Sequence, residues 1–355
     1  FLGNLLFKKN QNTKVEVAEK NKTQEDIIKQ KENQAESCKL YNDEACIKEK
    51  VKELTDIFAA LSDDDKQQIA DYEVLLAKFN ELAGQTQHIT KIENLKEVAN
   101  FQALSADAQP ENIRIINSGG EKKIYAADNN KKTIYKINLK TNVSALLTSD
   151  KITTSLNYPV INKDGTIYYL DNKQIVQVNP GNDQLNLINF NYNDQQNIVG
   201  IATYNGRLYA LDKAGNQLYR YTLINNVFDK GESRLKDKAD FSQIASFAID
   251  TTGTQSDVYF LKTTGEVNKF YDGLQQNFKL DAVDPTFQNA SKIAVVKNIY
   301  ILEPANKRLV VFDKNGKFIK QYQSDKLTNP KDFFIDEAGK KAYFLNDSLV
   351  YEIDL

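Results

Sequence analysis

Ile167-Tyr168-Tyr169-Leu170-Asp171 is one of six copies of a single phrase, and that phrase decides the fold. The others are Ile124-Tyr125-Ala126-Ala127-Asp128, Leu208-Tyr209-Ala210-Leu211-Asp212, Val258-Tyr259-Phe260-Leu261-Lys262, Ile299-Tyr300-Ile301-Leu302-Glu303 and Ala342-Tyr343-Phe344-Leu345-Asn346. Successive repeat tyrosines stand 43, 41, 50, 41 and 43 residues apart. A short apolar run bounded by turn residues reads as a buried strand. A repeat of roughly 40–50 residues built from short strands is the signature of a β-propeller.

Each copy sits in a larger unit. An apolar strand and a turn precede it: Ile113 to Ile116 before Gly119-Gly120, Tyr158 to Ile161 before Asp164-Gly165, Ile198 to Thr203 before Asn205-Gly206, Phe247 to Ile249 before Asp250 and Gly253, and Phe333 to Ile335 before Asp336 and Gly339. Asn-Gly and Asp-Gly supply the positive φ angles of tight hairpins. A third strand follows the tyrosine strand, as in Leu309 to Phe312. Five units add a fourth, as in Val143 to Leu147, Phe278 to Leu280 and Phe318 to Tyr322. Four antiparallel strands make one blade, so residues 100–355 are expected to form a mainly β, six-bladed β-propeller. The chain ends at Leu355 before a sixth fourth strand. Phe101-Gln102-Ala103-Leu104 is expected to fill that place by pairing with Leu349 to Ile353, which removes two open sheet edges.

The unit resembles the NHL-type and TolB-like six-bladed propellers, most clearly in Asn329-Pro330-Lys331-Asp332-Phe333-Phe334-Ile335-Asp336 through Leu349-Val350-Tyr351-Glu352-Ile353. The resemblance covers about residues 100 to 355. It implies a fold that hosts enzymes, RNA binders and scaffolds alike, so it does not choose a function. In some bacteria such propellers follow a membrane helix and a cytoplasmic regulatory domain, an arrangement that would make this part an external sensor.

The 355 residues carry 46 Lys and Arg against 48 Asp and Glu, a net charge of −2. That balance sets up no global field for nucleic acid, and no nucleic-acid partner is expected. Cys38 and Cys46 are the only cysteines. Close pairing across a turn-like interior predicts a disulfide stapling a helical hairpin, and with it an oxidising, extracytoplasmic compartment. Phe1-Leu2-Gly3-Asn4-Leu5-Leu6-Phe7 followed by Lys8-Lys9 reads as the end of a membrane anchor over residues 1–13. Two lysines beside a membrane helix favour the cytoplasmic side, against the disulfide argument; the cysteine pair outweighs them.

Residues 14–99 read as a helical stalk and small bundle. Residues 14 to 36 are polar almost throughout, as in a solvated helix. Ile47, Val51, Leu54, Phe58 and Leu61 keep helical spacing. Ser62 can cap a new helix whose first turn holds Asp63-Asp64-Asp65, with Ile69, Tyr72, Leu75, Leu76, Phe79 and Leu82 as its stripe and Gly84 as its stop. A further helix is expected to carry Ile89, Ile92, Leu95 and Val98.

No nucleophile elbow, phosphate loop, zinc-protease helix or EF-hand loop is present. The one histidine, His88, precedes the repeats. No cofactor or metal is expected. The clearest polar set is the residue that ends each tyrosine strand: Asp128, Asp171, Asp212, Lys262, Glu303 and Asn346. All six begin the loop between second and third strands and so share one face. They form either a ligand-binding rim or a set of turn caps accepting backbone N–H groups. The six tyrosines read as inter-blade packing. The expected function is a non-catalytic binding, sensing or scaffold module of a membrane-anchored, cell-surface protein, recognising a protein, peptide or glycan. The alternatives are a metal-dependent lactonase-like hydrolase and a structural surface subunit.

Overall fold

The computed structural model describes residues 2–41, 43–252 and 256–355, and their side chains other than those of 2–19, 21 and 118. It divides into two compact units, Phe1–Thr90 and Lys91–Leu355.

The first unit holds α1 (Leu2–Leu40), α2 (Glu44–Ala60), α3 (Asp63–Gln68) and α4 (Tyr72–Thr86). Ile28, Glu32 and Ala35 lie on one face of α1 and are buried, so this segment is packed rather than solvated all round. They share a core with Val51, Leu54, Phe58, Leu75 and Leu82. Ser62 caps α3 by accepting from Asp65 N at 3.2 Å, and the Asp65 carboxylate returns the bond to Ser62 N. The chain then breaks at Asp71, whose φ is +58°, so the expected single helix is two, and Gly84 lies inside α4 instead of ending it. Cys38 and Cys46 are disulfide-bonded, with Cα atoms 5.7 Å apart, joining the end of α1 to the start of α2.

The membrane expectation needs correction. Among the described residues no helix is long and apolar enough to cross a membrane. The apolar run at residues 1–7 continues into a helix that is polar along most of its length, and side chains 1–19 lie outside the described residues. The membrane anchor, the membrane partner and the extracytoplasmic, cell-surface placement are therefore withdrawn.

The second unit, together with the boundary strand that leads into it, is built of strands. β1 (Ile89–Lys91) and β2 (Lys96–Asn100) take the place of the helix expected through Val98. A long-range partner overrides local pattern here: Lys96 faces Glu352 and Asn100 faces Leu349 across an antiparallel ladder. Residues Phe101–Ala103, expected to be that partner, form a 3-10 turn. The repeats then follow in order. They are β3 (Asn112–Ser118), β4 (Glu121–Asp128), β5 (Thr133–Asn138) and β6 (Ser144–Thr148); then β7 (Asn157–Ile161), β8 (Ile167–Asp171), β9 (Gln174–Asn179) and β10 (Gln184–Phe190); then β11 (Ile198–Tyr204), β12 (Arg207–Asp212), β13 (Gln217–Ile224) and β14 (Val227–Ser233). Next come β15 (Ile244–Ile249), β16 (Val258–Lys262), β17 (Val267–Tyr271) and β18 (Leu274–Gln275); then β19 (Lys292–Val295), β20 (Ile299–Glu303), β21 (Arg308–Phe312) and β22 (Phe318–Gln323); and last β23 (Pro330–Asp336), β24 (Lys341–Asn346) and β25 (Leu349–Asp354). The turn glycine Gly253 lies outside the described residues.

These strands make five sheets, which corrects the six-bladed expectation. Four sheets are blade-like: β3 to β6, β15 to β18, β19 to β22 with β1 at the edge, and β23 to β25 completed by β2. The second and third repeats instead share one eight-stranded sheet, ordered β11-β12-β13-β14-β10-β9-β8-β7. The cause is a short parallel pairing of β10 with β14, Asn189 opposite Val227 and Phe190 opposite Phe228. Asn191 N extends it by donating to Phe228 O at 2.8 Å, and Phe190 packs edge-on against Tyr221. The sheet curls until its end strands meet, with Thr203 Oγ1 of β11 donating to Ile161 O of β7 at 2.9 Å, so it nearly closes on itself. The likeness to NHL-type and TolB-like six-bladed propellers falls with the correction.

The first strands of the repeats still stand side by side in sequence, β3, β7, β11, β15, β19 and β23, with β23 returning to β3. This ring of inner strands positions the site. All six repeat tyrosines are buried. Burying a side chain of this size stabilises by about 1.5–3 kcal/mol.

Candidate functional site

The six residues that end the tyrosine strands occupy two kinds of surroundings. Asp128, Asp171, Asp212, Glu303 and Asn346 are all buried. Each turns back to hold the loop that leads into its own repeat's first strand. Asp128 accepts from Gln109 N at 2.8 Å, Asp212 from Asn197 N at 2.8 Å, Glu303 from Gln288 N at 2.5 Å and Asn346 from Asn329 N at 2.9 Å. Asp171 is the most heavily bonded, accepting from Thr153 N, Thr154 N and Ser155 N at 2.7, 2.7 and 3.0 Å. Burial pushes its pKa up, but the bonds from Ser155 N, the Gln174 amide, Thr153 N and the Thr154 hydroxyl outweigh it and hold the carboxyl at about 2. Lys262 differs: its side chain is half-buried and pairs with the exposed Glu266 at 3.0 Å.

Glu303 has a second partner that sequence reasoning missed. Arg308 is fully buried. Its Nε donates to Glu303 Oε2 at 2.5 Å, one Nη to Gln321 Oε1 at 2.6 Å and the other to Pro285 O at 2.6 Å. The signal was available: Arg308 opens an otherwise apolar strand, five residues after the one glutamate in the repeating position.

The inner strands enclose a cavity of about 290 Å³, open at its mouth. Val160, Ile201, Phe247, Ala248, Ala294 and Phe334 give it mostly apolar walls. Arg114, Tyr158, Ser246, Lys292 and Asp332 supply the polar groups. Arg114 and Asp332 join the first and last inner strands through an ion pair at 3.0 Å, and Asp332 Oδ2 also accepts from Ile113 N at 3.0 Å. A second Arg114 hydrogen bond, from the same Nη1, goes to Ile113 O. No carboxylate among the described residues pairs with Lys292. Two buried polar atoms lack a hydrogen-bond partner beside this group: Asn112 Oδ1, two residues from Arg114 on β3, and the hydroxyl of Tyr169, which feels the charges of Arg114 and Asp332.

Four inner strands carry a register shift near their first residues: between Asn157 and Val160, Ile198 and Ile201, Ile244 and Ser246, and Pro330 and Asp332. Bulges re-aim side chains and gather near functional sites. Inside the first of them Tyr158 has φ +51°. For a bulky residue that conformation costs about 1–3 kcal/mol, held in place by the surrounding structure.

The turn acids Asp250 and Asp336, near inner-strand ends, are committed elsewhere. Asp250 is buried and accepts from Lys314 Nζ at 2.6 Å, and Asp336 pairs with Lys122 at 2.9 Å. Among the described residues no three His, Cys, Asp or Glu side chains are placed to hold one metal ion.

No family model matches the chain, and no curated protein matches it. Its fold is similar to solved structures that include an enzyme and a calcium-binding protein. One is a virginiamycin B lyase from Staphylococcus aureus, 14% identical, covering 74% of this chain and 88% of that one at a TM-score of 0.48. Another is regucalcin from Agrobacterium tumefaciens, described as a calcium-binding protein, 10% identical, covering 75% and 94% at a TM-score of 0.50. At such identity the likeness to regucalcin concerns the fold alone, and it leaves the choice between catalysis and binding to the site.

Proposed function

We propose that the β unit is a recognition module that takes its ligand, part of a protein or peptide, end-on in the axial cavity. The observation that carries this reading is the contrast in how polar groups are used. Asp128, Asp171 and Asp212 spend oxygens on nearby backbone N–H groups, while Lys292 and Tyr158 are among the residues that line an apolar cavity with an open mouth. A concave, mostly apolar site with a few convergent polar groups is the usual form of a ligand pocket. Those apolar walls suit a peptide better than a glycan. The absence of three metal-ligating side chains in one place, among the described residues, supports recognition over metal-assisted hydrolysis.

A fragment screen by ligand-detected NMR on the full chain tests this. Hits are expected to disappear in Ala248→Phe, which narrows the cavity, with the 15N spectrum showing that the variant is folded. Hits that persist in that variant would place binding elsewhere and overturn the reading.

A further inference from the structure

We infer that the axial cavity takes the C-terminal carboxylate of a peptide whose last residue is apolar, with Lys292 as the ion partner. The inference rests on the recognition reading above. Two observations carry it.

The first is charge. Arg114 is neutralised by Asp332, whereas Lys292 lines the same cavity with no carboxylate partner among the described residues. The cavity therefore carries one uncompensated positive charge. An ammonium in low-dielectric surroundings gains most from an anion that comes with the ligand. The second is shape. Phe247 and Phe334, with Val160 and Ile201, surround a space of about 290 Å³, enough for one apolar side chain, and the open mouth lets the rest of a chain leave toward solvent.

The test uses the full chain and three probes: acetyl-Gly-Gly-Phe with a free carboxylate, the same peptide amidated, and hydrocinnamate. Binding is followed by amide chemical-shift changes in 15N-labelled protein. The free acid is expected to bind at least about tenfold tighter than the amide, the scale of one charge-assisted hydrogen bond. Lys292→Gln is expected to remove that preference, and Lys292→Arg to keep most of it. Equal binding of acid and amide at the inner strands overturns the carboxylate assignment and leaves the cavity reading intact. Hydrocinnamate binding as tightly as the peptide overturns the peptide source in favour of a small acid. Shifts confined to residues away from the inner strands overturn both the inference and the recognition reading. No binding by any probe overturns the inference.

Discussion

Asp171 and Lys292 lie in strands of the same β unit, both charged and both among apolar neighbours, yet they are used in opposite ways. Asp171 belongs to a position that recurs six times, is fully buried, and gives its oxygens to three backbone N–H groups. Lys292 occurs once, at the first residue of an inner strand, and faces a cavity. The difference teaches how to read a repeat protein. What recurs in every unit answers a need common to every unit, which is folding. Chemistry that serves a ligand has no reason to recur, because the ligand meets each strand differently.

If that contrast is right, damage to the recurring set shows first as lost stability. The largest effect is expected at Glu303→Ala, which leaves the buried Arg308 uncompensated; removing one partner of a buried pair costs about 3–5 kcal/mol. Thermal unfolding should fall by roughly 10 °C, at about 2–4 °C per kcal/mol for a unit of this size. A variant that unfolds within a degree or two of the parent would break the comparison at its strongest point.

Asp171→Ala should cost about 2–4 kcal/mol in denaturant unfolding, since three backbone donors and three side-chain donors lose their acceptor. The same residue predicts an acid response. Its folded pKa of about 2 lies below the ordinary aspartate value. Its contribution is therefore fully present above about pH 4 and is lost as pH falls from there toward 2, on the order of 2 kcal/mol. Asp171→Asn should lack that step, so parallel pH titrations of stability for parent and variant should converge in acid.

The smallest effect is expected at Lys262→Ala. This position breaks the repeat pattern and makes only a partly exposed ion pair, so the change should stay within about 0.5 kcal/mol. A loss as large as that of Asp171→Ala would mean that the recurring position matters whatever residue fills it.

Much of the strand inventory was legible, because Tyr-centred apolar runs and Asn-Gly or Asp-Gly turns are local signals. The joining of sheets was not. The pairing of β10 with β14 rests on two residue pairs, Asn189 with Val227 and Phe190 with Phe228, and alternation within either strand does not demand it. Lys96 to Asn100 misread as helix for the same reason: its ladder partner lies about 250 residues away, at Leu349 to Glu352. At the site, the pairing of Asp332 with Arg114 was not legible. Arg114 inside Ile113-Arg114-Ile115 and Lys292 before Ile293 are charges set in apolar inner strands, and that mismatch was the available cue. The recurring acids drew attention first because repetition is easier to see than exception.

The central claim is tested most directly by ligand-dependent thermal shift on two variants, Asp212→Ala and Lys292→Gln, with the acetyl-Gly-Gly-Phe acid as probe. Asp212→Ala should melt several degrees below the parent without probe and keep the probe-induced rise. Lys292→Gln should melt with the parent and lose that rise. The opposite pattern, with Asp212→Ala abolishing the rise or Lys292→Gln lowering the melting point while keeping it, would contradict the division between recurring residues that fold the protein and single ones that bind.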